Sequence, residues 1–177
     1  MTGLGNGTYS FTVHANDTSG NIISSETRQA TIAYAEPVEA IKFDQEVYSH
    51  PPGTTFTARV KIKNPLDKPV AMALVPAYGK ELSIISMEKL DAQGTEKKGI
   101  SAQKDFALSR NLNYKSVPQE VRAPAEFESK AYYDVFEPEG EQEYEITFKM
   151  PNYTSKGEFY FYALGDGVSL GVDPWWD

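Results

Sequence analysis

Apolar and polar residues alternate with a period of two along much of this chain, the spacing of half-buried β-strands. In residues 7–15, Tyr9, Phe11, Val13 and Ala15 fall on one face, and Thr8, Ser10, Thr12 and His14 on the other. Residues 16–21 then supply turn chemistry, with Gly20 and the Asx residues suited to positive φ. A second run over 22–33, rich in Thr, Ile and Ser, completes a predicted hairpin. Residues 56–63 turn Phe56, Ala58, Val60 and Ile62 inward, and residues 142–150 do the same with Tyr144, Ile146, Phe148 and Met150. Residues 70–75 are apolar throughout, as for a central strand or one covered on both faces. Further strands are predicted over 40–44, 81–88, 125–136, 158–164 and 168–172, separated by Gly, Pro and Asn/Asp turns. Short strands with almost no helical periodicity specify an all-β sandwich over residues 36–177, with the hairpin of 1–35 before it. Between 95 and 122 Lys, Gln, Ser and Asn dominate, which predicts an irregular insertion with a short helix near 101–109.

Two stretches carry a resemblance. Residues 5–21, Gly-Asn-Gly-Thr-Tyr-Ser-Phe-Thr-Val-His-Ala-Asn-Asp-Thr-Ser-Gly-Asn, resemble the last strands of immunoglobulin-like repeats in prokaryotic surface proteins, with Tyr9 in the tyrosine-corner position. Residues 48–75, with Pro-Gly-x-x-Phe-x-x-x-Val-x-Ile-x-Asn-Pro at their centre, look like the opening strands of adhesin-type β-sandwich modules and of modules appended to glycosidases. The closing Asp173-Pro174-Trp175-Trp176-Asp177 resembles a junction between such modules in archaeal surface proteins. The resemblance implies an Ig-like antiparallel sandwich, an extracellular or cell-surface setting, and a hairpin belonging to a preceding domain of a multidomain chain.

Charge and composition narrow the function classes. A net charge of −8 argues against sequence-independent nucleic-acid binding, which needs a basic surface. The absence of Cys removes disulfides, thiolate metal sites and cysteine nucleophiles. No apolar run reaches the roughly 18–20 residues of a membrane-spanning helix. Only His14 and His50 are present, and no Gly-x-Ser-x-Gly elbow or phosphate loop accompanies them, so the reading is non-enzymatic.

Several side chains are singled out. Asn6, Asn16 and Asn152 begin Asn-x-Thr sequons in or beside turns, so they are candidate glycosylation sites, with chance occurrence as the plainer account. Glu137, Glu139, Glu141, Glu143 and Glu145 occupy every second position; a solvated strand face explains them more simply than a Ca²⁺-binding row. Asp166 and Asp173 are weaker cation candidates, and no cofactor is assigned. Tyr132, Tyr160, Tyr162 and Trp176 belong to adjacent aromatic runs, so some of these rings must turn away from one sheet's core. They either stack on sugars or pack beneath the insertion or a neighbouring domain. The favoured function is a structural or adhesive module. A carbohydrate-binding module and self-assembly through the hairpin's strands are the alternatives, and the partners are neighbouring domains, other copies of the chain, or glycans.

Overall fold

In the computed structural model, which describes residues 7–32, 40–103 and 106–177, the chain divides into two units, Met1–Val38 and Glu39–Asp177. The first unit is a broken hairpin. Strand β1 (Gly7–Phe11) pairs with β4 (Arg28–Ile32), and β2 (His14–Asn16) pairs with β3 (Ile22–Ser24), both antiparallel. Phe11 lies opposite Arg28 but His14 opposite Ser24, so the second arm carries one extra residue between the ladders, as in a β-bulge. Hydroxyl chemistry holds that break: Thr12 and Thr27 share a hydrogen bond of 3.0 Å, and the Ser25 hydroxyl accepts the Val13 N–H at 3.0 Å. At the tip the Asp17 carboxylate accepts the backbone N–H groups of Ser19 and Asn21, and Gly20 takes φ +86°. Those same N–H groups hold the Asp17 carboxyl below its usual pKa, with the Asn21 side-chain amide contributing most. Asn6 and the linker at 35–39 lie outside the described residues, as does the side chain of Tyr9.

The second unit is the sandwich. Its strands are β5 (Ile41–Phe43), β6 (Val47–Tyr48), β7 (Thr55–Lys63), β8 (Val70–Tyr78), β9 (Ser83–Leu90) and β10 (Lys97–Gly99). They are followed by β11 (Glu128–Ser129), β12 (Tyr132–Phe136), β13 (Glu141–Lys149), β14 (Gly157–Gly165), β15 (Val168–Val172) and β16 (Trp175–Trp176). One sheet runs β10-β9-β13-β7-β5. In the other, β11 and β12 line one side of β8, β14 lies on its other side, and β15, β16 and β6 follow. Pairing is antiparallel except between β16 and β6, which run parallel.

Period-two patterning fills the space between the sheets. Phe56, Ala58, Val60 and Ile62 from β7 meet Tyr144, Ile146 and Phe148 from β13, and β14 adds Phe159, Phe161 and Ala163 from the opposite sheet. The rings interlock: Phe56 stacks on Phe148 at 5.1 Å, Phe148 tilts against Phe159 at 4.8 Å, and Phe43 meets Phe159 edge-on at 5.5 Å. On the outer face the glutamates find cations by register. Glu141 lies opposite Lys63, Glu143 opposite Lys61 and Glu145 opposite Arg59. Glu145 is buried and accepts from Arg59 at 3.2 Å and from the Lys97 ammonium. Glu137 and Glu139 sit in the turn before β13, so the five glutamates do not form one continuous row.

The apolar run at the start of β8 is covered on both faces, Ala71 excepted. Ala73, Val75 and Ala77 of β8 join Tyr160, Tyr162 and Leu164 of β14 in a second core on the sheet's outer side. Over them lie Val117 and, partly buried, Phe106, Leu108, Tyr114, Val121, Ala123 and Phe127. The segment expected as an insertion thus splits: its start supplies β10, and from Phe106 onward it joins residues up to Phe127 in a third layer. The helix expected near 101–109 is realised as a 3₁₀ turn at Leu108–Arg110, and two more turns follow at Tyr114–Ser116 and Gln119–Val121. Pro76 marks the gap between β11 and β12: its carbonyl accepts the Lys130 N–H at 3.3 Å, but proline has no N–H to return.

Edge strand β12 carries an inward-pointing charge, a device that discourages edge-to-edge pairing. Asp134 accepts from Lys89 of the opposite sheet at 2.7 Å and from the Tyr144 hydroxyl at 2.8 Å. Burial opposes ionisation of Asp134 and Glu145, yet the cations and hydroxyl around them hold both below their ordinary values of 3.8 and 4.5. The stabilisation from the two carboxylates is therefore fully present above those ordinary values and is lost as pH falls through the lowered folded-state values. Asp134→Asn should flatten the fall in urea midpoint between about pH 5 and pH 2 relative to the parent chain. An equally steep acid loss in the variant would assign the sensitivity elsewhere.

Candidate functional site

The end of the chain is zipped into the sandwich. Trp175 lies opposite Val47 and Trp176 opposite Tyr48 on one side of β16, with Glu158 and Gly157 as their partners on the other. The Trp175 N–H donates to Glu46 O at 3.0 Å, the Asp177 N–H to Tyr48 O at 3.1 Å, and the Phe159 N–H to Pro174 O at 3.0 Å. Adjacent strand residues point to opposite faces, so one indole turns in and the other out. Trp176 enters the main core against Gly157, where a Cβ would meet the indole at 3.3 Å. Trp175 stays 46% exposed.

Beside Trp175, a groove of about 350 Å³ runs between the 41–46 segment and residues 172–175. Ile41, Phe43 and Val172 supply apolar lining, and Lys42, Gln45, Glu46 and Asp173 supply polar groups. Phe43 is braced from below by edge-on contacts to Tyr48, Phe159 and Phe161. The strand-to-strand turn beside it is fixed by Asp44, which accepts from the Tyr48 hydroxyl at 2.5 Å and from the Arg59 N–H at 2.9 Å. Burial and the nearby Glu158 charge push the Asp173 carboxyl above its usual value. Glu158 in turn accepts a hydrogen bond from the Tyr160 hydroxyl at 2.6 Å; burial first, and then that carboxylate, push the phenol up. A second cavity of about 340 Å³ lies in the third layer among Leu108, Tyr114, Pro124 and Phe127.

The four aromatic residues proposed as sugar platforms are all buried. Tyr132 and Trp176 belong to the inter-sheet core, and Tyr160 and Tyr162 to the second core. Tyr162 accepts the Ala123 N–H at 2.6 Å and donates to Val121 O at 2.9 Å, so its hydroxyl is engaged as well. Alternation shows which rings leave one core but not what covers them; here the third layer does. Sequence reading chose Trp176 of the pair, whereas the structure exposes Trp175. No local signal separates the two indoles: that Gly157 makes room for Trp176 follows only from the pairing of β14 with β16.

The remaining candidates are spread over the surface. Asn16 is exposed in β2, and Asn152 is exposed in the turn before β14, with its Oδ1 3.0 Å from where a Cβ on Gly53 would sit. Asp166 pairs with Lys68 at 3.5 Å and is almost fully exposed, away from Asp173 in the groove. Among the described residues, no group of three or more His, Asp or Glu side chains is placed to hold a metal ion. His14 shares a hydrogen bond of 2.6 Å with Ser24, both exposed, and His50 stacks on Phe56 at 5.1 Å.

No family model and no curated protein sequence matches this chain. Solved structures resemble it in fold alone. AvmM, which catalyses macrocyclization in alchivemycin A biosynthesis, aligns at 8% identity and TM-score 0.40, over 78% of this chain and 88% of its own. A Corynebacterium diphtheriae protein described as membrane anchored aligns at 10% identity and TM-score 0.40, over 99% of this chain. Spo0M, a sporulation control protein from Bacillus subtilis, aligns at 11% and 0.35, over 76% of this chain. The match spans 43% and 46% of those last two proteins, less than half of each. No helix among the described residues is long and apolar enough to cross a membrane.

Proposed function

We propose that this chain is a non-catalytic structural or adhesive module of a multidomain cell-surface protein, with an Ig-like sandwich at 39–177 and the strands of 7–32 belonging to a neighbouring sheet. The observation that carries the reading is the apolar surface of the first unit. Phe11, Ile22 and Ile23 on paired strands are exposed by 48, 67 and 75%, and Val13 at the break between the ladders by 60%. Two-stranded hairpins are marginal in water unless such residues are covered. The second unit supports the same reading in a different way. Most of its aromatic rings are spent on two internal cores, and its edge strand β12 carries an inward charge.

Removing residues 1–38 tests the arrangement. The remaining sandwich should melt within about 2 °C of the intact chain, because its own core is complete. A fall of about 10 °C or more would instead make the hairpin an integral part of the sandwich. The intact chain should hold a molar mass near 19.7 kDa in size exclusion with light scattering. A mass that grows with concentration and returns to monomer in an Ile22→Thr/Ile23→Thr variant would favour strand-mediated self-assembly.

A further inference from the structure

We propose that the groove beside Trp175 is a saccharide-binding site, with the Trp175 indole as the stacking face and Asp173, Glu46, Gln45 and Lys42 as hydroxyl partners. This goes beyond a purely structural role and does not depend on it. Three observations converge on the groove. The first is the platform. The indole is left 46% exposed, and the backbone on both sides of it is locked by hydrogen bonds to the β6 segment and β14. Its presentation is therefore preorganised, which reduces the entropy lost on binding.

The second is shape. The groove holds about 350 Å³, within the range of small-ligand sites, and its floor includes Phe43, a ring fixed by three edge-on aromatic contacts. The third is the mixture of polar groups. Two carboxylates, one amide and one ammonium present acceptors and donors together, matching hydroxyls that both donate and accept. Carboxylates beside an aromatic ring would also suit an ammonium group, but Lys42 lines the same groove, so tetramethylammonium serves as the competing probe. Asp173 adds to the case. It is disfavoured as an anion by burial and by Glu158, so a sugar hydroxyl donating to it would relieve an existing cost.

The test uses the intact chain and the neutral trisaccharides cellotriose, mannotriose and chitotriose. Trp175 and Trp176 are the two tryptophans, and Trp176 is buried, so acrylamide quenching reports chiefly on Trp175. One of the sugars should protect the emission saturably, with a dissociation constant between micromolar and millimolar. Calorimetry, which does not need the indole as reporter, should then show affinity falling about tenfold or more in Trp175→Ala and about fivefold in Asp173→Asn. Tyr133→Ala, which removes a ring of similar exposure on β12, should bind as the parent does. Because Trp175 is exposed, its removal should leave the circular dichroism spectrum and melting temperature close to the parent's; Asp173→Asn keeps the test decisive if they shift. The proposal is overturned if no trisaccharide protects the emission up to about 20 mM, a limit beyond which binding is weaker than about −2.3 kcal/mol. It is equally overturned if binding survives Trp175→Ala, or if tetramethylammonium protects where the sugars do not.

Discussion

Tyr162→Ala is expected to lower the unfolding free energy by about 4 kcal/mol and to open the third layer to protease. The ring is fully buried, meets Tyr114 edge-on at 5.1 Å, and lies where a Cβ on Gly171 would come within 2.9 Å of it. Its hydroxyl satisfies the Ala123 N–H and the Val121 carbonyl together. Truncation therefore removes a large buried ring and leaves two backbone groups, both within residues 106–127, without their partner. Tyr162→Phe separates them. It keeps the ring and should cost about 1–2 kcal/mol. Urea unfolding gives the energies, and limited trypsin digestion reads the layer, since Arg110, Lys115 and Arg122 lie within it. If the alanine variant stayed within about 1 kcal/mol of the parent and resisted trypsin, the layer would be held by something other than this ring.

Asn64→Ala should cost about 3 kcal/mol, a large effect for so small a change in volume. Asn64 is completely buried between two turns. Its amide donates to Lys68 O at 2.8 Å and to Glu137 O at 2.9 Å, and its Oδ1 accepts the Leu66 N–H at 3.0 Å. Its own N–H donates to Gly140 O at 2.9 Å. The second of these turns contains Glu139 at φ +53°, a left-handed conformation that a non-glycine residue holds only when its surroundings impose it. With the amide gone, the turn before β13 loses its anchor, so amide hydrogen exchange should quicken at Leu66 and Glu139 before it does in the strands. A cost below about 1 kcal/mol would show that water takes over the orphaned groups.

The fold was legible where burial alternates strictly. Strand β7 follows the pattern of its sequence, with one face in the core and one in solvent, and β13 does so except at Glu145, which its ion pairs bury on the outer face. β14 was legible as a strand but not as a doubly covered one, since its second cover comes from a segment about 40 residues earlier whose apolar residues have no period. β6, β10 and β16 have two or three residues each and exist only through their partners, so local pattern carries no trace of them. Asn64 read as a turn residue, but that it ties two turns together depends on contacts 73 residues apart. The candidate site was half legible. The Trp175-Trp176 pair required one indole outside, whereas the groove beside it needs β5 and β15 to come from opposite sheets.

The order of strands has a consequence for synthesis on the ribosome. From β7 to β9 the chain changes sheet at each step; β13, which lies between the earlier β7 and β9, and β14, which pairs with the earlier β8, are made late. β8 therefore waits about 90 residues for β14, roughly 5–20 s at usual elongation rates. During that interval Val70–Tyr78, an almost wholly apolar segment, lacks its pairing partner β14 along one edge. Faster translation or chaperone binding between β8 and β14 should decide the yield of folded protein more than the stability of the finished sandwich does.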